Sequence, residues 1–431
     1  MRILIITDEC WNDSTWGNNM PSNWFEGFDA EFANIYCGPG MPLNKCCQRY
    51  FQVTDWMMVK SFFGKKAGVS FSWTFEQMRS PASSRETYEK KNDGLYRFLK
   101  SISGNLLRAI RSLIWLIGKY NYDELEKFIN DFQPDVVFHP RLLTHKLLRL
   151  DNIIHNITSA PIVAMTGDDE VSLREVSFSP IYWISRISLR RKFIKSLPIY
   201  RYYMMHSKLQ AKEYSEEFGL ETSIIYKCVR PARAFRDKPI GKPIVLTYAG
   251  KLYCGRWETL LNIGRTVDKI NHEYGGELLQ LNIYTQDRLS ATRKNKFQKC
   301  NVSLWPAVPP EELDRIYDAT DIALHVESFR KRYALLTRYS CSTKVVDMLK
   351  YSCSIMAVCW SRQNTFEYLK ENDAAICVGE EDDLYSVLDD IVSNPSIIRD
   401  FAKRAHSLGE KNHNVEMVQQ EFSRVFTMVK K

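Results

Sequence analysis

The sequence predicts an α/β protein of two doubly wound, Rossmann-like domains with helices at the C-terminus. Three observations carry this expectation. Short solid apolar runs such as RILIIT (Arg2–Thr7) alternate with amphipathic helical text, as in parallel sheets covered on both faces. The alternation stops at CVRPARAFRDKPIGK (Cys228–Lys242), where proline, glycine and charge accumulate and no apolar period survives. It restarts at PIVLTYAG (Pro243–Gly250) and runs through a second domain. The expected boundaries are 1–228 for the first domain, 229–243 for a linker, 244–405 for the second domain and 406–431 for a C-terminal helix that can pack back on the first.

In order along the chain, Arg2–Thr7 is a buried strand, and the polar loop CWNDSTWGNNMPSNW (Cys10–Trp24) opens at its carboxyl end. Ligands bind at that end of the strands in open α/β sheets, although no GxGxxG fingerprint is present. EFANIYC (Glu31–Cys37) reads as a second strand, whereas residues 40–90 show no clear period. Helical text runs from Asp93 to Tyr120 with a break at Gly104. A helix over Tyr122–Phe132 ends before Pro134, and a strand follows at Val136–Phe138. APIVAMTGDD (Ala160–Asp169) repeats the strand-then-loop unit. A strand near Tyr202–Met205 leads to a helix that Gly219 stops. In the second domain LLQLNIYT, NVSLWP, IALHV, SIMAV and AAICV read as strands. Helical segments stand between them, and the chain ends in helical text.

The 431 residues, 45% hydrophobic and 26% charged, suit two or three globular domains with a large core. A net charge of +8 is modest for this length, and no nucleic-acid recognition motif accompanies it, so nucleic acid is not an expected partner. The 11 cysteines are odd in number and scattered, which fits reduced thiols in the cytoplasm. The N-terminal apolar run, Ile3–Ile6, is too short for a signal peptide, and no apolar run reaches membrane-spanning length. Peripheral contact with the inner face of the cell membrane is a further expectation.

The most informative stretch is TRYSCSTKVVDMLKYSCS (Thr337–Ser354). Ser340, Ser342 and Thr343 crowd a helix start, Lys344 follows, and Asp347 lies on the same helix face as Lys344. Hydroxyls, free backbone N–H groups and a cation suit a diphosphate, and a neighbouring carboxylate suits the hydroxyls of a sugar. The competing reading is a solvated Lys344–Asp347 ion pair of little energetic value.

LTYAGKLYCGRWETLL (Leu246–Leu261) adds a strand, a glycine turn and a helix start carrying Lys251 and Arg256. A strand ending in glycine lets backbone approach a phosphate closely, and the two cations can neutralise it. Together with HVESF (His325–Phe329), these motifs resemble GT-B glycosyltransferases, in particular the GT4-like retaining enzymes of bacterial surface-polysaccharide and glycolipid assembly. The resemblance implies two Rossmann-like domains facing across a cleft and a sugar donor that is a nucleotide-diphosphate sugar. It places Gly250, Lys251, Arg256, Ser342, Thr343 and Lys344 at the donor diphosphate, Glu327 at the transferred sugar and Asp347 at the ribose. Two departures stand out. Glu327 and Asp347 are twenty residues apart, more than is usual, and Asp replaces the usual Glu. The longer loop is expected to bring Arg330, Lys331, Arg332 and Arg338 near the donor. The histidine that commonly follows the acceptor-side strand is also missing; Gly167 and Asp168 stand there.

Asp13, Gly17, Asn18 and His139 are candidate contacts for the acceptor or a phosphate, against readings as turn residues and a satisfied histidine. An inverting enzyme needs a base for the acceptor hydroxyl, and Asp168 is the best-placed candidate, with Asp169 beside it. A retaining enzyme can leave that proton to the departing diphosphate, so that Lys251, Arg256 and Lys344 stabilise the leaving group. The expected catalytic set is therefore Glu327, Asp168, Lys251 and Arg256. No cofactor and no metal are expected, because side chains meet the phosphate charge. The expected acceptor is a glycan or lipid-linked hydroxyl. An inverting transferase, a nucleotide-sugar epimerase and a catalytically silent nucleotide-sugar-binding subunit remain as alternatives.

Residues 176–212 contain no Asp or Glu. Arg186, Arg190, Arg191, Lys192, Lys195 and Arg201 alternate there with Trp183, Phe193, Tyr200 and Tyr202. With the apolar stretch LLRAIRSLIWLIGKY (Leu106–Tyr120), this composition suits an anionic membrane surface. A buried helix with a solvated charged face is the alternative.

Overall fold

The computed structural model describes residues 1–15, 19–79, 104–140, 143–300 and 302–431. The chain forms two compact units, Met1–Ile225 with Val418–Lys431, and Tyr226–Met417.

In the first unit the described residues form a sheet of eight strands. These are β1 (Arg2–Thr7), β2 (Glu31–Tyr36), β3 (Cys47–Gln52), β4 (Val69–Ser72), β5 (Val136–Pro140), β6 (Ile162–Thr166), β7 (Tyr200–Met205) and β8 (Thr222–Ile224). Their order is β4-β3-β2-β1-β5-β6-β7-β8, parallel throughout except for the antiparallel β3–β4 edge pair. The apolar runs of β1, β5 and β6 fill the middle of the sheet, where both faces are covered, and Ile3–Ile6 are fully buried. The winding reverses beside β1, which lies between β2 and β5, so a ligand crevice is expected at the carboxyl ends of β1 and β5. The unreadable region 40–90 contains β3, the helix Asp55–Lys60 and β4. β3 mixes buried and exposed positions and β4 is a half-exposed edge, so neither shows an apolar period.

The helix Val415–Lys430 completes this unit. Phe422 packs on Trp24, Phe25 and Phe138 with ring centroids 5.6, 4.9 and 5.4 Å apart. The Gln419 amide donates to the carbonyl of Trp24 at 2.8 Å.

In the second unit the described residues form a sheet of six strands, all parallel. These are β9 (Ile244–Ala249), β10 (Leu279–Thr285), β11 (Ser303–Pro306), β12 (Ile322–Val326), β13 (Ser354–Val358) and β14 (Ile376–Val378), in the order β11-β10-β9-β12-β13-β14. The winding reverses between β9 and β12, and the two loops that open there hold most of the candidate residues. Residues 226–243 fold with this unit; the Asp321 carboxylate accepts from the N–H groups of Gly241 and Val245 at 3.2 and 2.9 Å. The helix Ser396–Asn412 is continuous through residue 405 and packs on β13. No helix among the described residues is long and apolar enough to cross a membrane.

Candidate donor-binding site

At the carboxyl end of β9 the chain turns sharply over Gly250–Gly255. The turn is clamped from two sides. The Tyr248 hydroxyl donates to the carbonyl of Lys251 at 2.7 Å, and the N–H of Leu252 donates to Asp287 at 2.6 Å. Gly255 caps the helix Arg256–Glu273 with φ +77°, and a Cβ there would lie 2.5 Å from Ser328 Oγ and 2.8 Å from Tyr333 Cδ2. Left-handed backbone and close approach both require glycine at this position.

The turn delivers Arg256 to Glu327, which follows directly on β12. Arg256 Nε donates to Oε2 at 2.9 Å and Nη2 donates to Oε1 at 2.5 Å. Glu327 is buried, its N–H donates to Val358 O at 3.2 Å, and Thr259 Oγ1 donates to its carbonyl at 3.1 Å. Burial works against the Arg256 charge, but Glu327 outweighs it and holds the guanidinium protonated well above its ordinary range. The Tyr253 ring stacks 4.7 Å from the guanidinium. The bidentate pair fixes the plane of the guanidinium and leaves Nη1 without an intramolecular bond among the described residues.

Lys344 lies on the short helix Thr343–Met348. Its ammonium sits 5.4 Å from the Tyr248 ring centroid and directly against Gly250, where a Cβ would collide with Nζ. No carboxylate among the described residues pairs with it. Burial, then the Arg256 charge, bring its pKa down to about 8. Lys251 is exposed beside it. His325, within β12, is buried, and its Nε2 has no partner; burial, then Arg256 and Lys344, push it down to about 3. The site therefore holds three cations, Arg256, Lys344 and Lys251, against two carboxylates, Glu327 engaged by Arg256 and Asp287 by the N–H of Leu252, and a neutral histidine adds nothing to that balance. Such a cluster, with the Lys344 ammonium unpaired among the described residues, fits an anion.

Asp347 does not pair with Lys344. Its Oδ1 accepts from Lys227 Nζ at 2.6 Å, while Oδ2 is buried without a partner. Ser342 makes no side-chain cap; its N–H donates to Thr365 Oγ1 at 3.0 Å. Gln363 Nε2 donates to the carbonyls of Thr337 and Ser340 at 3.2 and 2.9 Å and so anchors the loop ahead of Ser342 and Thr343. In the arginine-rich loop, Arg330 pairs with Glu258 at 2.7 Å, and Lys331 and Arg332 are exposed. Arg338 is buried with its guanidinium 4.6 Å from the Tyr339 ring centroid. Lys227, Tyr248, Asp287 and Gln363 were not singled out from sequence. A lysine at a strand exit and an aspartate in a loop carry no local pattern.

Of the first-unit candidates, Gly17 and Asn18 lie outside the described residues. Asp13 is exposed, and its N–H donates to Leu43 O at 2.7 Å. His139 sits within β5 rather than on a loop; its ring is 2% exposed and Nδ1 bonds Asp151 Oδ2 at 2.9 Å. Tyr200 donates to the same oxygen at 2.6 Å, while the buried Nε2 of His139 has no hydrogen-bond partner among the described residues. Asp168 is exposed in the loop after β6, where its carbonyl accepts from Gln210 at 2.9 Å. Asp169 is buried and committed to Ser172 and Arg186. Glu170, which sequence did not single out, accepts from Thr166 at 2.6 Å, and burial raises its pKa well above the carboxylate range.

Two parallel-sheet α/β units, with a last helix that contributes its end to the first, define the GT-B fold. A structure named "Trehalose-6-phosphate from E. coli bound with UDP-2-fluoro glucose" aligns over 100% of this chain and 99% of its own, with a TM-score of 0.62 at 9% identity. Anabaena HepE in complex with UDP aligns over 99% of this chain and 100% of its own, with a TM-score of 0.62 at 9% identity. Sucrose-phosphate synthase from Thermosynechococcus elongatus aligns over 99% and 98%, with a TM-score of 0.61 at 10% identity. At these identities the likeness is one of fold. No family model matches the sequence, and no curated protein matches it either.

Proposed function

We propose that the chain is a glycosyltransferase that moves a sugar, with retention, from a nucleotide-diphosphate sugar to a hydroxyl of a glycan or lipid-linked acceptor. The observation that carries this reading is Lys344: a partly buried ammonium held against a bare glycine backbone and in no ion pair among the described residues. A diphosphate supplies the missing charge. HepE was solved with UDP and the E. coli structure with UDP-2-fluoro glucose, which is consistent with a nucleotide-diphosphate ligand on this fold.

In this reading Lys344, Lys251 and Arg256 Nη1 meet the diphosphate oxygens. Glu327 holds the guanidinium in place and borders the transferred sugar, and Asp347 Oδ2 accepts from a ribose hydroxyl. The bond from the anomeric carbon to the diphosphate oxygen breaks, and the acceptor oxygen bonds to that carbon on the same face. The acceptor proton passes to the departing diphosphate. The protein's part is to stabilise the negative charge that grows on the leaving group, and one such donor is worth roughly 10²–10³ in rate. The cations perform this task without a metal, so turnover should survive EDTA. Eleven cysteines without a disulfide suit a cytoplasmic location.

A panel of nucleotide sugars tests the reading. Release of nucleoside diphosphate that depends on an acceptor supports transfer. A changed sugar without release would identify an epimerase, and tight binding with neither outcome a silent binding subunit.

A further inference from the structure

Of the residues behind the expected membrane surface in 176–212, Arg191, Lys195 and Arg201 are exposed, and others lie inside. Arg186 is buried and bonds Asp169 at 2.7 Å, Arg190 pairs with Glu217, and Phe193, Tyr200 and Tyr202 belong to the core. The outer face of the helix Pro180–Ser196 carries different residues. Ile181, Ile184, Ile187 and Ile194 are all exposed, Ile184 by 70%, and they recur at three- and seven-residue spacing along one helix face. Phe178, just ahead of the helix, is 99% exposed. Isolated exposed apolar residues need no explanation, but a ridge of this kind does.

The ridge continues on neighbouring elements. The helix Pro180–Ser196 packs beside the helix Gly104–Ile117, which exposes Leu113, Leu116 and Ile117. That helix packs in turn on Asp55–Lys60, joined through Arg111 and Trp115 to Asp55 at 2.9 and 2.5 Å. The turn that follows exposes Phe62 and Phe63, the latter by 81%.

Charge follows the same three elements. Residues 56–75, 104–122 and 176–212 contain fourteen Lys and Arg and no Asp or Glu; Asp55, at the start of the first helix, pairs with Arg111, and Lys66, Arg186, Arg190 and Lys212 pair with carboxylates outside these segments. Lys65, Lys119, Arg191 and Lys195 are exposed and make no ion pair among the described residues. Three segments far apart in sequence thus bring exposed aliphatic and aromatic side chains together with unneutralised cations.

We propose that this face of the first unit docks on an anionic lipid bilayer. The isoleucine ridge, Phe178 and Phe63 enter the headgroup layer, and the surrounding lysines and arginines meet lipid phosphates. Apolar burial and attraction to anionic lipid reinforce each other where exposed apolar side chains stand beside unpaired cations such as Lys65, Lys119, Arg191 and Lys195. Membrane-spanning segments play no part. The inference does not depend on the transferase reading.

Flotation of the full-length protein with phosphatidylcholine vesicles, with and without phosphatidylglycerol, tests it. The protein should float with the anionic vesicles at low salt, float poorly with phosphatidylcholine alone, and detach as salt rises. Ile184→Glu/Ile187→Glu and, separately, Phe63→Ser should each lower the bound fraction by about tenfold. These positions are exposed, so the fold should tolerate the changes, and an unchanged circular dichroism spectrum and thermal midpoint check this. Absence of flotation with anionic vesicles would overturn the proposal, as would equal flotation of the wild type and both variants. A dimer in sedimentation velocity that the same substitutions dissociate would also overturn it, by assigning the face to a second copy of the chain.

Discussion

A lysine that is charged, partly buried and unpaired costs free energy until a ligand arrives. With its pKa at about 8 against an ordinary 10.5, Lys344 releases its proton more readily in the folded protein than in the unfolded chain. Its destabilising effect is therefore full below pH 8 and fades as pH rises toward the unfolded value. Lys344→Met should stabilise the ligand-free protein by about 1–2 kcal/mol after allowance for solvent screening, read as a higher midpoint in urea. The same charge favours diphosphate binding, so nucleotide affinity should fall as pH rises above 8, and titrations at pH 7 and pH 9.5 should show the decline. The Arg256–Glu327 pair behaves oppositely. Glu327→Ala strands a guanidinium with little solvent and should cost about 3–5 kcal/mol. The double variant with Arg256→Met should lose less than the two single changes combined, in chemical denaturation. At this scale the sequence disclosed the cations but not their partners. Arg256 and Glu327 are 71 residues apart and Lys227 and Asp347 are 120 apart, distances that no local pattern spans.

At the scale of elements, the site depends on two strand exits. Gly255 is the hinge of the first: Gly255→Ala forces a left-handed alanine into Ser328 and should cost about 1–3 kcal/mol. Because it also shifts Arg256, donor KM should rise more than the stability loss alone would explain, and steady-state kinetics beside a melting curve separate the two. Most strands of the second unit were legible because β9, β12 and β13 are largely apolar and buried, whereas β10 alternates buried and half-buried positions and β11 is partly exposed. The helix Ala291–Gln298 was not, since Phe297 is its one buried residue and the rest is polar. β8 has three half-buried residues and no signal of its own. The helix Pro180–Ser196 misled in a more instructive way. It buries Phe193 on one side and exposes isoleucines on the other, so its apolar residues lie all round and composition alone did not separate buried Arg186 and Phe193 from exposed Arg191 and Lys195.

At the scale of the whole molecule, the chain returns to its first unit at the very end. Phe422→Ala empties a slot among Trp24, Phe25 and Phe138 and should destabilise the first unit by about 3–5 kcal/mol, seen as a lower thermal midpoint. The two-unit α/β architecture was legible from the break and restart of the strand-helix rhythm near residue 240. The acceptor side was less so, because His139, Asp169 and Glu170 are set by packing with residues distant in sequence. The central claim is that Gly250, Arg256 and Lys344 form a diphosphate cradle. Calorimetric titration of the wild type and Lys344→Met with nucleoside diphosphates at pH 7 tests it most directly. The account predicts that at least one nucleoside diphosphate binds the wild type, and that the variant binds it roughly 10–150-fold more weakly, the loss of one charged hydrogen bond. Equal affinity of the two proteins for that ligand would contradict it.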